Sequence, residues 1–258
     1  MKIVIFETDA PLPIARAKHG SYGDMFKAML QRAPSFATAG PVEYVHIHIH
    51  ADSPDGGVHD LPPLRDVDAI LITGSRSNAY DTHIPWINQL ADYVKDALAE
   101  ESKTRVVGIC FGHQIIGRAL GLQVGPNPAG WELSLTEMAL TSEGEPHFIT
   151  ATQNNAKLAL MQFHHDIVFP PLPANVSVLA NTDACAVQGM HRPRKLWSVQ
   201  GHPEFDIDIE CELLEYAAGT GMDRKIIDAA IAKLENQETR VERDRAAAAD
   251  AMAAFLLE

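Results

Sequence analysis

Two short stretches of the chain combine residue types suited to covalent chemistry. The first is Gly108-Ile109-Cys110-Phe111-Gly112, at the junction between the apolar run RVVGIC and the helical segment FGHQIIGRALG. A G-x-C-x-G pattern there meets the need served elsewhere by G-x-S-x-G: a sharp strand-to-helix turn presents the nucleophile, and small flanking residues let strand and helix pass closely. A cysteine at a helix N-terminus also feels the positive end of the helix dipole, which favours thiolate over thiol. An isolated cysteine is more often a small core residue; the turn context favours Cys110 as a nucleophile.

A thiolate nucleophile needs a histidine nearby, itself oriented by a third group. Of the twelve histidines, His202 stands out because it follows the strand-like LWSVQG and precedes Pro203 and Glu204. Residues i and i+2 of an extended segment point to one side, so Glu204 is expected to hold the charge on protonated His202, with Pro203 stiffening the pair. Alone, His-Pro-Glu reads equally well as a solvent-facing loop; together with the elbow it completes a Cys-His-Glu set. Attack on a carbonyl builds negative charge on oxygen, which backbone N–H groups can receive. Phe111, directly after the nucleophile, offers one such amide. The loop after DAILIT offers Gly74 and Ser75, although a plain turn would look the same.

The elements that must position these groups follow from periodicity. Ile3 to Phe6, Val42 to Ile49, Asp68 to Thr73 and Arg105 to Cys110 read as strands, and Tyr22 to Arg32 and Ile84 to Leu98 as amphipathic helices. Such alternation predicts a mostly parallel sheet covered on both faces, an α/β flavodoxin-like arrangement. After Gly121 the texture becomes more antiparallel, with strands at Trp131 to Thr141, Leu158 to His164, Val176 to Ala180 and Leu196 to Gln200. Helical periodicity returns at Asp206 to Ala218 and Arg224 to Leu234, and the Ala-rich, charged Glu238 to Leu257 is expected to be a packed helical tail from about residue 237. The 258 residues fit one domain.

A formal net charge of -13 disfavours phosphate backbones and anionic membranes, so neither nucleic acid nor a membrane is expected as a partner. Three scattered cysteines (Cys110, Cys185, Cys211) build no disulfide framework, and with no signal-peptide pattern or apolar span a cytoplasmic setting is expected. His46, His48 and His50 alternate in VHIHIH, but one solvent-facing side of an edge strand accounts for them, and no metal site is expected. No cofactor is expected, and no phosphate loop of the G-x-x-x-x-G-K-[ST] type occurs.

VVGICFGHQIIGRALG and SVQGHPEF resemble the two signature segments of class I glutamine amidotransferases, and the resemblance extends from about Asp68 to about Glu215. Through ITGSRSNAYD, GICFGHQII, HHDIVFPP and GHPEF the chain is most similar to stand-alone members, the plant γ-glutamyl peptidases and fungal GMP-synthase-like proteins. The resemblance implies a small γ-glutamyl substrate, a γ-glutamyl thioester at Cys110, and substrate contacts from Gln114, His164 and Asp166. His113 and Trp131 lie close by but read as a helix-packing histidine and a core tryptophan. The usual Gly-Gly-Pro of the family's second oxyanion loop is replaced by Gly74-Ser75-Arg76, a departure similar to the peptidase branch. Three activities remain open: a γ-glutamyl peptidase acting alone, a glutaminase subunit passing ammonia to a separate synthetase partner, and a non-catalytic binding protein.

Overall fold

The computed structural model describes residues 1–49, 61–148 and 156–258. The chain opens with strand β1 (Lys2–Glu7), helices α1 (Pro13–His19) and α2 (Tyr22–Arg32), and strands β2 (Glu43–His48) and β3 (Ala69–Ile72). Helix α3 (Pro85–Leu98), strand β4 (Arg105–Ile109) and helix α4 (Phe111–Ala119) complete the first half. Strands β5 (Val124–Pro126), β6 (Glu132–Leu140), β7 (Lys157–His164), β8 (Asp166–Val168), β9 (Ser177–Asn181), β10 (Gly189–Arg192) and β11 (Leu196–Val199) follow. Helices α5 (Ile207–Gly219), α6 (Arg224–Ala232) and α7 (Glu238–Leu257) end the chain.

Nine strands form one sheet in the order β2-β1-β3-β4-β11-β10-β9-β6-β7, and β5 pairs with β8 in a small ribbon. From β2 to β11 neighbours are parallel, and beyond β11 they are antiparallel, matching the change of texture after Gly121. Side chains alternate across the sheet. Ile3, Ile5, Leu71, Val107 and Val199 face α2 and α7, whereas Val4, Phe6, Ile70, Ile72 and Val106 face α3 and α4. Burial on both sides is why these strands read as continuous apolar runs.

The chain leaves β1 toward β2 on one side and then crosses to β3 on the other. That reversal opens a crevice beyond the carboxyl ends of β1 and β3, the place where open α/β sheets bind ligands. The loops following β1, β3, β4 and β11 all emerge there.

Four elements escape periodicity. Helix α1 has seven residues and exposes Ile14, so it carries no apolar stripe. Strands β5 and β8 have three residues each, and β10 is a short Gly-Met-His-Arg run between two neighbours. Helix α7, expected as a tail, packs Ala247, Ala248, Ala251, Met252 and Phe255 into the core and lies against α2 and β7. Its Asp244 is fully buried and accepts the Ala159 N–H of β7 at 2.9 Å. Among the described residues no helix is long and apolar enough to cross a membrane.

Candidate active site

Cys110 caps α4 with φ 51° and ψ -102°, a left-handed φ that a non-glycine residue adopts only under the constraint of its surroundings. The constraint is visible at both glycines of the motif. A Cβ on Gly108 would lie 2.5 Å from the Gly112 carbonyl group, and one on Gly112 would lie 2.3 Å from the Ile72 carbonyl oxygen. Strand β4, helix α4 and strand β3 therefore touch through backbone, and the nucleophile expected from the sequence sits on the strained turn between them. The Cys110 N–H donates to Val199 O at 3.0 Å, fixing the turn to β11.

His202 follows β11 in a bend, and its N–H donates to Met161 O of β7 at 2.8 Å. Nδ1 lies 2.8 Å from Glu204 Oε1, so the Glu204 carboxylate fixes the tautomer that leaves Nε2 for the Cys110 side. The expected pairing is present, but residues 203 and 204 form a turn instead of an extended segment. The ring stacks on Phe205 with centroids 4.0 Å apart and planes 5° from parallel. Its other neighbour is Gly74, where an added Cβ would come within 2.8 Å of His202 Cε1. Burial opposes a charge on His202, yet the Glu204 carboxylate, and then the Cys110 sulfur within hydrogen-bond reach, hold its pKa well above the ordinary value. The cationic form of the His202 imidazole is therefore favoured beside Cys110.

The loop after β3 is laced to the end of β1. Thr8 Oγ1 donates to Gly74 O at 2.9 Å, and Ser75 Oγ donates to Thr8 O at 2.9 Å. Asp9 accepts from the Arg76 N–H at 2.8 Å, from Nε at 2.9 Å and from Nη2 at 2.6 Å. Burial alone would raise the Asp9 pKa, but these bonds from Arg76 hold it below the ordinary carboxylate value. Asp9 thus holds this loop through both the backbone and the side chain of Arg76, and a proline at position 76 would supply neither donor. Among the described residues the Ser75 and Phe111 amides have no protein acceptor, as oxyanion donors require. Asp9 was not singled out by its sequence context; an acid directly beyond the first buried strand was the available signal.

Cys110, His202, Gly74 and Ser75 line a cavity of about 580 Å³. Gln114 borders it, its Nε2 donating to Asp166 O at 2.9 Å and to Gln200 Oε1 at 3.2 Å. Asp166 also borders the cavity, and burial raises its pKa. His164 reaches the same wall, with its Nε2 3.3 Å from Glu132 Oε2 and its Nδ1 hydrogen-bonded to the Asp166 carbonyl at 3.1 Å. His113 is a packing residue as expected: fully buried, 2.9 Å from Ser198 Oγ, and pushed down to about 3 by burial. Trp131 is not the expected core residue. It is 48% exposed and lines the cavity, packed against Phe163 and His165, because it precedes β6 at the sheet's rim.

Glu210, also unmarked in the sequence, is fully buried beside the pair. It accepts the Ser134 N–H at 3.0 Å, and burial pushes its carboxyl up to about 8 against the opposing charge of His202. Arg245 of α7 donates to Pro203 O at 2.9 Å and to Glu204 O at 3.0 Å, clamping the turn. His46 does not simply face solvent on its edge strand: Nδ1 lies 3.0 Å from buried Glu7, with His48 Nδ1 at 3.9 Å, while His50 lies outside the described residues. Among the described residues no group of three or more His, Cys, Asp or Glu is placed to hold a metal ion.

The family model described as glutamine amidotransferase class-I matches residues 25–214. A glutamine amidotransferase-like protein of Schizosaccharomyces pombe is 32% identical over 221 residues, covering 84% of this chain and 85% of that protein. Gamma-glutamyl peptidase 5 of Arabidopsis thaliana is 30% identical over 186 residues, covering 71% of this chain and 72% of that protein. The crystal structure of a glutamine amidotransferase from Thermotoga maritima superposes with a TM-score of 0.72 at 16% identity, covering 100% of this chain and 99% of that one, and shows the shared fold. The chain belongs to the class I glutamine amidotransferase family.

Proposed function

We propose that this protein hydrolyses the γ-glutamyl amide bond of small peptides through a γ-glutamyl thioester at Cys110. The observation that carries this reading is the strained Cys110 turn facing a buried His202–Glu204 pair 2.8 Å apart at the wall of an open cavity. The Cys110 thiolate attacks the γ-carbonyl carbon, and the amides of Ser75 and Phe111 receive the charge on oxygen. Collapse of the tetrahedral adduct breaks the C–N bond, and His202 gives its proton to the departing amine. Neutral His202 then takes a proton from water as the water attacks the thioester, which releases glutamate and restores the thiolate. Glu204, 2.8 Å from His202 Nδ1, orients the ring and steadies the imidazolium in both steps.

Arg76 in place of the family's proline, together with a cavity of about 580 Å³, in the range that holds drug-sized ligands, favours a peptide substrate. Glutamate release from glutathione and from glutamine, measured on one enzyme preparation, tests this. The expected result is a higher kcat/KM for glutathione. Preference for glutamine, above all one that emerges only when a synthetase is added, would replace the peptidase reading with that of an ammonia-donating subunit.

A further inference from the structure

The cavity wall divides into two groups of residues by their contacts. One is polar: Gln114 Nε2 donates to the Asp166 backbone carbonyl, and Tyr80 lies within electrostatic range of the Asp166 carboxylate. The other is apolar. Phe163, Leu213, Ala217 and Met222 pack in one cluster with Phe205, and Trp131 lies edge-on to Phe163 with ring centroids 5.7 Å apart. All six border the cavity.

His202 decides which end of a substrate each group meets. The leaving amine has to lie beside the imidazole that protonates it. The surface on which that imidazole stacks, Phe205, belongs to the apolar cluster, whereas Gln114 and Asp166 lie on the α4 and β8 side. The apolar group therefore borders the amine side of the scissile bond. Its rim is also exposed: Trp131 is 48% and Tyr216 44% exposed at the mouth of this one cavity. Large aromatics left open at a concave surface are characteristic of a ligand contact. The Arg76 guanidinium at this cavity is paired with Asp9 at 2.6 Å, which leaves it little free charge with which to select an anionic side chain.

We infer that Trp131, Phe163, Tyr216 and the α5 side chains Leu213 and Ala217 form a subsite for the amine half of the substrate, and that it takes amines bearing an aromatic or comparably large apolar side chain. The inference rests on the γ-glutamyl hydrolase reading and adds to it the class of leaving group. Cavities of roughly 300–1,000 Å³ hold drug-sized ligands, and about 580 Å³ is enough for a γ-glutamyl dipeptide with an aromatic residue.

The test compares kcat/KM for γ-glutamylphenylalanine, γ-glutamylglycine and glutamine on the full chain, then on Trp131→Ala and Tyr216→Ala. The expected order places γ-glutamylphenylalanine first by roughly tenfold or more, the scale on which apolar pockets discriminate. Each substitution should shrink the phenylalanine-to-glycine ratio severalfold. Because that ratio is taken within one preparation, a partly unfolded variant does not distort it, and two separate rim positions guard against a local collapse at either. Release from all three parent substrates at similar rates, or an unchanged ratio in both variants, would overturn the subsite and leave the hydrolase reading standing. Glutamate release from none of them would overturn the hydrolase reading, and the subsite with it.

Discussion

Arg245→Met removes a guanidinium while keeping most of the stem's bulk, and it strikes the His202–Glu204 turn from outside the matched family region. In the parent, Nε donates to Pro203 O at 2.9 Å and Nη2 to Glu204 O at 3.0 Å, so one side chain satisfies the carbonyls of two successive residues. A hydrogen bond from a charged donor contributes roughly 1.5–3 kcal/mol, and a buried carbonyl left unpaired costs a comparable amount. Burial also lowers the Arg245 pKa, a sign that holding the cation there is itself unfavourable, and its removal offsets part of the loss. The net expectation is about 2–4 kcal/mol of stability. At roughly 2–4 °C per kcal/mol for a chain of this size, the melting temperature should fall by about 4–16 °C. Activity should fall further than stability alone accounts for. His202 and Glu204 flank the released carbonyls, and a displacement of about 1 Å in a catalytic group can cost on the order of 10²-fold. Thermal melts and glutamate-release kinetics well below the melting temperature separate the two effects, and Arg245→Lys, which restores a charge but not the two-pronged geometry, should fall between. A variant that melts within about a degree of the parent and keeps its kcat would refute the clamp.

Gly112→Ala places a methyl group 2.3 Å from Ile72 O, a backbone atom that cannot step aside, so it should cost about 1–3 kcal/mol and abolish most glutamate release; near-parental activity would contradict the close-packed elbow. Glu210 has a folded pKa of about 8 against an ordinary 4.5, so the native state holds its proton more tightly and the parent loses stability as pH rises across that window. Glu210→Gln cannot ionise. Its urea midpoint relative to the parent should therefore rise between about pH 5 and about pH 8, and a constant difference would show that Glu210 does not titrate there. Iodoacetamide near neutral pH should modify Cys110 first, because burial pushes the Cys185 thiol up to about 12, while burial and then the nearby carboxylates of α5 raise that of Cys211. Equal labelling of the three by peptide mass spectrometry would remove the case for an activated Cys110.

The parts of the site carried within single short motifs were legible in the sequence. Cys110 stands between glycines at a strand-to-helix junction, and Glu204 is two residues from its histidine, so local pattern alone located both. Parts supplied by distant segments left no such trace. Asp9 matters only because β1 lies beside β3 and brings it to Arg76, and Arg245 only because α7 crosses to the turn after β11. Trp131 misled for a related reason: its apolar neighbours along β6 suggest a core, but its place just before the strand puts it at the rim. The fold shows the same division. Strands buried on both faces and helices with an apolar stripe were recognisable, whereas β5, β8 and β10 are set by their partners and are too short to show a period.

Glutamate release by Cys110→Ala, beside the parent and with γ-glutamylphenylalanine as substrate, tests covalent catalysis at Cys110 most directly. A methyl group cannot form the thioester, so the rate should fall by roughly 10⁴-fold or more while the melting temperature stays close to that of the parent. Release within about tenfold of the parental rate would contradict the assignment of Cys110 as the nucleophile.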